Sequence, residues 1–196
     1  METDYYKNKA SVEEYIKLAK DVNGREHIDK LRPYLNNSSS VLEIGSGPGS
    51  DWKILSEIYN VTGSDNSKEF LDHLKANNSE GTFLALDAVT LKTEKYFDAL
   101  YSNKVLHHLS DKELRNSIAR QAAILNSGGV ICHTFWKGEG SEVFKEMFVN
   151  YQDMNSLKTL FSNAFDVVTL SVCTEFEKDD SILLIAIKKK ISYVID

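Results

Sequence analysis

The sequence predicts an α/β fold, a three-layer sandwich whose mostly parallel sheet carries helices on both faces. Three observations support this prediction. Strand-like and helix-like segments alternate through most of the 196 residues, a glycine-rich turn follows the first strand, and the last two strands are joined by a very short turn. Strands separated by helices form βαβ units, and such units build a parallel sheet.

Seven segments have the length and the apolar, β-branched composition of strands. They are Ser40–Ile44, Val61–Ser64, Thr82–Leu86, Asp98–Ser102, Val130–Phe135, Phe165–Phe176 and Ser181–Lys188. Helices are predicted over Asp51–Tyr59 and Ser67–Ala76, where apolar residues recur at helical spacing. A further helix should begin at Ser110, because Ser110 and Glu113 form a capping-box pattern, and should end before the glycine pair that precedes the fifth strand.

The first 36 residues precede this alternation and are predicted to form a helical arm, or lid, on the core at 37–190, with the whole chain 1–196 as one domain. A capping-box pattern that starts at Ser11 predicts a first helix. A second helix should run over Arg25–Leu35, where apolar residues again recur at helical spacing.

The chain after the fifth strand is predicted to add one helix and then to depart from the βα alternation. The apolar residues after the fifth strand fall at helical spacing, which predicts a helix over Val143, Phe144, Met147, Phe148 and Tyr151. Farther along, only residues 177–180 join the last two strands. A parallel crossover needs a dozen or more residues, so these two strands must form an antiparallel hairpin, and the seven-stranded sheet contains one reversed strand.

The composition is that of a globular protein, since 42% of the residues are hydrophobic and 27% are charged. No apolar run approaches the length of a membrane span and no signal sequence stands at the N-terminus, so we expect a cytoplasmic protein without a membrane partner. Cys132 and Cys173 form no CxxC pair, which predicts neither a disulfide nor a metal site. The formal net charge of −6 disfavours a nucleic-acid partner but does not exclude one.

The candidate ligand site is the glycine-rich turn from Glu43 to Ser50. Open α/β sheets bind ligands beyond the carboxyl ends of their strands. The alternating glycines Gly45, Gly47 and Gly49 let the backbone approach a ligand closely. A tight turn with good helix packing is the alternative interpretation, but three glycines exceed what such a turn requires.

This turn lacks two known nucleotide-binding patterns. A phosphate-binding P-loop needs GxxxxGK[ST], which is absent. A dinucleotide fingerprint GxGxxG needs a glycine at position 50, where Ser50 stands, and the carboxylate of Glu43 is poorly placed beside a pyrophosphate. A cationic ligand would tolerate that carboxylate better.

Two further carboxylates extend the candidate site. Asp65 ends the second strand, where an acid can accept hydrogen bonds from both hydroxyls of a ribose, so its position indicates an adenosine-like ligand. Asp87 ends the third strand and could accept from an exocyclic amine. For both residues, capping of the segment that follows is the alternative role.

Together these motifs resemble those of class I S-adenosyl-L-methionine (SAM)-dependent methyltransferases, whose fold is Rossmann-like. The family's acidic-x-Gly-x-Gly-x-Gly motif is matched from Glu43 to Gly49, its ribose-binding acid by Asp65 and its strand-three acid by Asp87. Residues 97–109 and 125–130 are similar to the family's fourth strand and to its LxxGG turn. The resemblance implies SAM as the cofactor, S-adenosylhomocysteine (SAH) as the product and, as the residues that bind the cofactor, Glu43, Gly45, Ser46, Gly47, Gly49, Asp65, Asn66, Asp87, Ala88 and Asn103.

Transfer of a methyl group from a sulfonium is an in-line displacement, in which alignment of the reactants can supply about 7–11 kcal/mol of the barrier. A base is needed only if the acceptor must lose a proton. His107 and His108 are the candidates, because the family places the loop after the fourth strand beside the methyl donor; packing or helix capping is their alternative role. Tyr6 and Trp136 are candidate residues of the acceptor pocket.

We therefore expect a methyltransferase whose acceptor is a small molecule, because little structure is inserted into the βα repeat. Two alternatives stay open. The region 107–111 also resembles methyltransferases that modify transfer RNA, and a non-catalytic SAM-binding or partner subunit would keep the same pocket. A monomer or a homodimer is expected.

Overall fold

The computed structural model describes residues 5–190 and contains one seven-stranded sheet and a separate two-stranded hairpin. The strands are β1 (Ser40–Ile44), β2 (Asn60–Asp65), β3 (Thr82–Ala85), β4 (Phe97–Asn103), β5 (Leu125–Trp136), β6 (Ser141–Phe144), β7 (Met147–Asn150), β8 (Phe165–Cys173) and β9 (Ser181–Lys188). The order in the sheet is β3-β2-β1-β4-β5-β9-β8. β1 to β5 pair in parallel, whereas β9 is antiparallel to both of its neighbours. The predicted Rossmann-like α/β fold with its reversed C-terminal strand is confirmed.

Helices cover both faces of this sheet. They are α1 (Lys9–Leu18), α2 (Arg25–Asp29), α3 (Ser50–Ser56), α4 (Lys68–Asn77), α5 (Asp111–Ile124) and α6 (Met154–Phe161). One buried apolar cluster joins a sheet face to Leu114 of α5 and Phe161 of α6. The other cluster joins the opposite face to Ile28 of α2 and Leu55 of α3. Because both faces are covered, the central strand β1 is almost wholly buried, as in other parallel sheets.

The two predicted arm helices have different ends in the structure. α1 begins at Lys9, since the side chain of Asn8 accepts a hydrogen bond from the amide of Ala10. The capping box predicted at Ser11 is therefore wrong, and Ser11 lies inside the helix. α2 ends at Asp29 instead of Leu35, and the following turns lead to Pro33, which disfavours helical backbone in the residue before it.

The helix predicted after the fifth strand is also wrong, because this segment forms the β6–β7 hairpin. Val143 pairs with Phe148, and Phe144 pairs with Met147. The two turn residues, Lys145 and Glu146, have φ angles of 46° and 65°. Left-handed backbone at both positions is typical of a type I′ turn, which matches the twist of the two strands that it joins. Within residues 5–190, no helix is long and apolar enough to cross a membrane.

Candidate active site

A cavity of about 310 Å³ lies at the carboxyl ends of the central strands. The glycine turn after β1, the segments after β2 and β3 and the loop after β4 supply one side of its lining. The N-terminal segment supplies the other side through Tyr6, Lys7, Tyr15, Ala19 and Val22. The cavity lies where the strand order reverses between β1 and β4, which is the usual ligand position in open α/β sheets.

The glycine turn presents bare backbone to this cavity. Gly47 has a φ angle of 48°, and a Cβ atom added to it would meet no atom within 4 Å. Gly45 and Ser46 line the cavity as well. Gly49 does not line the cavity. It precedes α3 with a φ angle of 87°, and a Cβ atom there would lie 2.6 Å from Leu74. This third glycine therefore serves the packing of α3 against α4. Gly47 faces open space in the cavity, whereas a Cβ atom on Gly45 would lie 2.6 Å from Val105.

Asp65 holds the glycine turn against the end of β2. Its Oδ2 accepts a hydrogen bond from the amide of Gly47 at 2.9 Å, and its Oδ1 accepts from the amide of Ser67 at 2.8 Å. Burial raises the pKa of Asp65, while these amide donors lower it. The residue that caps α4 is Ser67 and not Asp65. Asp65 and Asn66, two residues of the implied cofactor site, both line the cavity.

The turn after β3 adds Asp87 and Ala88 to the lining. Oδ1 of Asp87 accepts from the amides of Val89 at 3.1 Å and Thr90 at 2.9 Å. Asp87 therefore caps its own turn, which was its alternative role, and also lines the cavity.

Glu43 is the most deeply buried carboxyl group of the cavity, with 3% of its surface exposed. Its Oε2 has no hydrogen-bond partner among the described residues. Burial and the nearby charge of Asp51 raise its pKa to about 8, against a hydrogen bond from Ser46. A buried carboxyl oxygen without a partner beside bare backbone is a suitable position for a cationic or hydrogen-bond-donating group of a ligand.

Asp51 is a cavity residue that the sequence analysis missed. Its carboxylate accepts from the amide of Gly24 at 2.6 Å, the hydroxyl of Tyr101 at 2.7 Å and Nδ2 of Asn103 at 3.1 Å. In the sequence it is simply an acidic residue in the first turn of a helix, a common feature with a local explanation. Only the long-range contacts reveal its role. Asn103, which was predicted, lines the cavity beside it.

The two candidate histidines occupy different environments. His108 lines the cavity, and its Nδ1 lies 2.8 Å from the carbonyl oxygen of Phe148 in β7. A carbonyl can only accept, so Nδ1 carries the proton and Nε2 keeps its lone pair. Burial lowers the pKa of His108, which favours this neutral form. His107 is buried outside the cavity lining, and burial lowers its pKa well below the usual range.

The two candidate acceptor-pocket residues also differ. Tyr6 lines the cavity, where its ring contacts that of His108 with centroids 5.9 Å apart, and its carbonyl accepts from the hydroxyl of Ser67. Trp136 is not among the residues that line the cavity. Its ring lies under Nζ of Lys104 at 3.8 Å and stacks on Phe176. The structure therefore places Trp136 one layer behind Lys104, which itself reaches the cavity.

No group of three or more His, Cys, Asp or Glu side chains within residues 5–190 is arranged to hold a metal ion. The lining of the cavity brings together bare backbone, clustered carboxyl groups, two lysines, two tyrosines and the neutral imidazole of His108.

Comparison with known proteins agrees with this arrangement. Residues 41–129 match the family model described as a methyltransferase domain. The N-methyltransferase NodS from Bradyrhizobium japonicum WM9, solved with SAH, has 18% identity and a TM-score of 0.72 over 95% of this chain and 100% of NodS. The 1,6-didemethyltoxoflavin-N1-methyltransferase of Burkholderia thailandensis, solved with 1,6-didemethyltoxoflavin and SAH, has 19% identity and a TM-score of 0.76 over 92% of this chain and 85% of that enzyme.

A SAM-dependent methyltransferase from Clostridium acetobutylicum ATCC 824 has 12% identity and a TM-score of 0.73, with 90% of this chain and 96% of that chain covered. At such identities the likeness shows a common fold. The match over residues 41–129, the motifs and this fold together support a class I SAM-dependent methyltransferase.

Proposed function

We propose that the protein transfers the methyl group of SAM to a nitrogen atom of a small-molecule acceptor, with His108 as the base. The observation that carries this proposal is a single cavity that has the Gly47–Asp65 hydrogen bond and a neutral His108 in its lining. NodS and the toxoflavin enzyme, which share the fold, are both named as N-methyltransferases.

The lining residues fit SAM, which at neutral pH carries a sulfonium, an ammonium and a carboxylate. Five carboxyl side chains line the cavity, against two lysines; they are Glu43, Asp51, Asp65, Asp87 and Glu113, with Lys7 and Lys104. Nζ of Lys104 lies 3.6 Å from the carboxylate of Glu175, which offsets part of the lysine's charge. Even with Glu43 protonated at neutral pH, as its raised pKa implies, four carboxyl groups remain against two lysines, and an acidic cavity favours cationic ligands. The partnerless Oε2 of Glu43 and the open space in front of Gly47 support the same fit.

In this proposal each group has a separate role. Asp65 accepts hydrogen bonds from the hydroxyls of the ribose, and Asp87 with Ala88 binds the adenine. SAM supplies an electrophilic methyl group when bound. Nε2 of His108 takes the proton that the acceptor nitrogen loses, while Phe148 stabilises the resulting imidazolium by accepting from Nδ1. A positioned base of this kind contributes on the order of 10²–10⁴ in rate.

The aromatic side chains of the N-terminal segment keep water away from this chemistry. Tyr6 and Tyr15 pack edge to face with centroids 5.6 Å apart, and both contact Phe70 of α4. All three residues line the cavity. Exclusion of water strengthens the electrostatic interactions of the reacting groups.

The test has two stages. Titration calorimetry with SAH, and with NAD as a control, first determines whether the cavity takes the adenosyl ligand. The protein is then incubated with methyl-labelled SAM and either a fractionated metabolite extract or total RNA. Label in a small amine supports the proposal. Label in RNA alone would show that the acceptor class is wrong, and binding without any labelling would identify a non-catalytic SAM-binding protein.

A further inference from the structure

Four buried polar side chains form a continuous row of hydrogen bonds behind the cavity. Ser102 in β4 bonds to Nδ1 of His133 in β5 at 2.8 Å, and Nε2 of His133 bonds to Oε1 of Gln121 in α5 at 2.9 Å. Nε2 of Gln121 donates to Ser117 at 3.1 Å. Ser117 then donates to the carbonyl oxygen of Ala88 at 2.6 Å. All four side chains belong to residues with no exposed surface.

The direction of every bond in this row follows from the chemistry of its members. The amide nitrogen of Gln121 can only donate, so the oxygen of Ser117 accepts and its hydrogen points to Ala88. The amide oxygen of Gln121 can only accept, so Nε2 of His133 carries the proton. Burial lowers the pKa of His133 to about 3, and in the neutral ring Nδ1 accepts from the hydroxyl of Ser102. The bonds therefore all run in one direction, from β4 to the cavity.

The row ends on the turn that carries Asp87 and Ala88. Two other bonds hold this turn to α5, since Arg120 donates from Nε to Thr90 at 2.9 Å and from Nη2 to Leu91 at 3.3 Å. Ser117 is thus the group that fixes the carbonyl of the cavity-lining residue itself. Bonds that run in one direction polarise each other, and buried donors without partners are costly, so the row admits one orientation of Ser117.

We infer that His133, Gln121 and Ser117 are positioning residues that orient the Asp87–Ala88 turn for recognition of the adenine ring of the cofactor. This inference rests on the proposed function, in which that turn holds the adenine. A row with a merely structural role would stabilise the fold without affecting which purine the cavity prefers. Selectivity for the purine is therefore the property to measure.

The experiment compares SAH with S-inosylhomocysteine, in which the exocyclic amine of adenine is replaced by an oxo group, by titration calorimetry. We expect the unmodified protein to bind SAH more tightly. Ser117→Ala should weaken SAH binding about fivefold, the effect of one neutral hydrogen bond, and should weaken S-inosylhomocysteine less, so that the ratio of the two affinities falls. An unchanged ratio would overturn the inference. Failure of the unmodified protein to bind SAH would instead count against the proposed function.

The matched control is Ser162→Ala, which removes a serine bond to the carbonyl of Thr159 at the end of α6, outside the cavity lining. It should leave both affinities unchanged. Gln121→Met, which is nearly isosteric, should by itself reduce the ratio of the affinities for SAH and S-inosylhomocysteine. Added to Ser117→Ala, it should cause no further reduction, because its effect passes through Ser117. Additive effects would contradict this route.

A spectroscopic test needs no substitution. The imidazole ¹⁵N resonances of the unmodified protein should show His133 as the Nε2–H tautomer, with no titration between pH 5.5 and pH 8. An Nδ1–H tautomer, or titration in that range, would refute the assigned direction of the row.

Discussion

The carboxylate of Asp51 accepts a hydrogen bond from the amide of Gly24 at 2.6 Å, which joins the N-terminal segment to the cavity. The approach at this point is so close that a Cβ atom on Gly24 would lie 2.1 Å from the hydroxyl of Tyr101 and 2.8 Å from Asp51. A side chain at position 24 therefore cannot coexist with this contact.

We expect Gly24→Ala to detach the segment before α2 from the cavity. Amide hydrogen exchange should accelerate over residues 5–23 while the exchange of the sheet is retained, and SAH affinity should fall about tenfold, because loss of a hydrogen bond to a buried carboxylate costs about 1.5 kcal/mol. The double variant Gly24→Ala/Tyr101→Phe relieves the closest contact and should recover part of the affinity. Equal affinity in Gly24→Ala and the unmodified protein would show that this contact is irrelevant to binding.

Removal of the Asp65 carboxylate should abolish most of the stabilisation by SAM. At a hundred times its dissociation constant, a ligand raises the free energy of unfolding by about 2.7 kcal/mol, which is measured as a shift in thermal midpoint. Asp65→Ala loses both the acceptor proposed for the ribose and the bond to Gly47. The control is Asp72→Ala on the exposed face of α4, where the carboxylate pairs with Lys68. If both variants keep the full shift, Asp65 only orders its own turn.

Replacement of His108 by glutamine should lower kcat on the order of a hundredfold and leave SAH affinity nearly unchanged. Because burial lowers the pKa of His108, its base form persists to below the ordinary value of 6.5. The kcat of the unmodified enzyme should therefore decline only at pH values below 6.5, and this decline should be absent from the variant. His73→Gln, on α4 and outside the cavity lining, is the control. Retention of the acidic decline in His108→Gln would assign it to another group.

Glu43 should make stability depend on pH in an unusual direction. Its folded-state pKa, about 8, lies above the ordinary value of 4.5, so the folded chain binds the extra proton between these values. Its contribution to the free energy of unfolding consequently falls as the pH rises through this window. Relative to the unmodified protein, Glu43→Gln should gain roughly 4 kcal/mol between pH 4.5 and pH 8. Denaturant titrations across this range measure the gain, and a constant difference would disprove it.

The alternating strands and helices of the core were predictable because most of them have a signal in the local sequence. The capping box at Ser110 and Glu113 is present as predicted, and the short turn between β8 and β9 could only join antiparallel strands. The β6–β7 hairpin was not predicted because its apolar residues form two short pairs on either side of a two-residue turn. These residues therefore recur at nearly the helical spacing. Lys145 and Glu146 adopt left-handed backbone without the glycine or asparagine that usually signals it.

The cavity residues that belong to sequence motifs could be predicted from the sequence. Those whose role depends on long-range tertiary contacts could not. Asp65 and Gly47 stand in motifs whose spacing indicated a ligand. Asp51 and the His133 row depend on partners far away in the sequence, such as Gly24, whose amide donates to Asp51, and Ser102, whose hydroxyl donates to His133. Helix α6 was also missed, although Asp153 and Ser156 cap it reciprocally, because an Asp–Ser pair is not the usual capping-box pattern.

Tyr6 contacts two separate parts of the cavity lining, since its carbonyl accepts a hydrogen bond from Ser67, near Asp65, and its ring lies against that of His108. A ligand that orders Tyr6 through one of these contacts also orders it at the other contact. Donor and acceptor should therefore strengthen each other's binding by an identical factor, as thermodynamic reciprocity requires. A chain shortened to begin after Tyr6 should bind the two independently, which equilibrium titrations of SAH with and without the acceptor would detect.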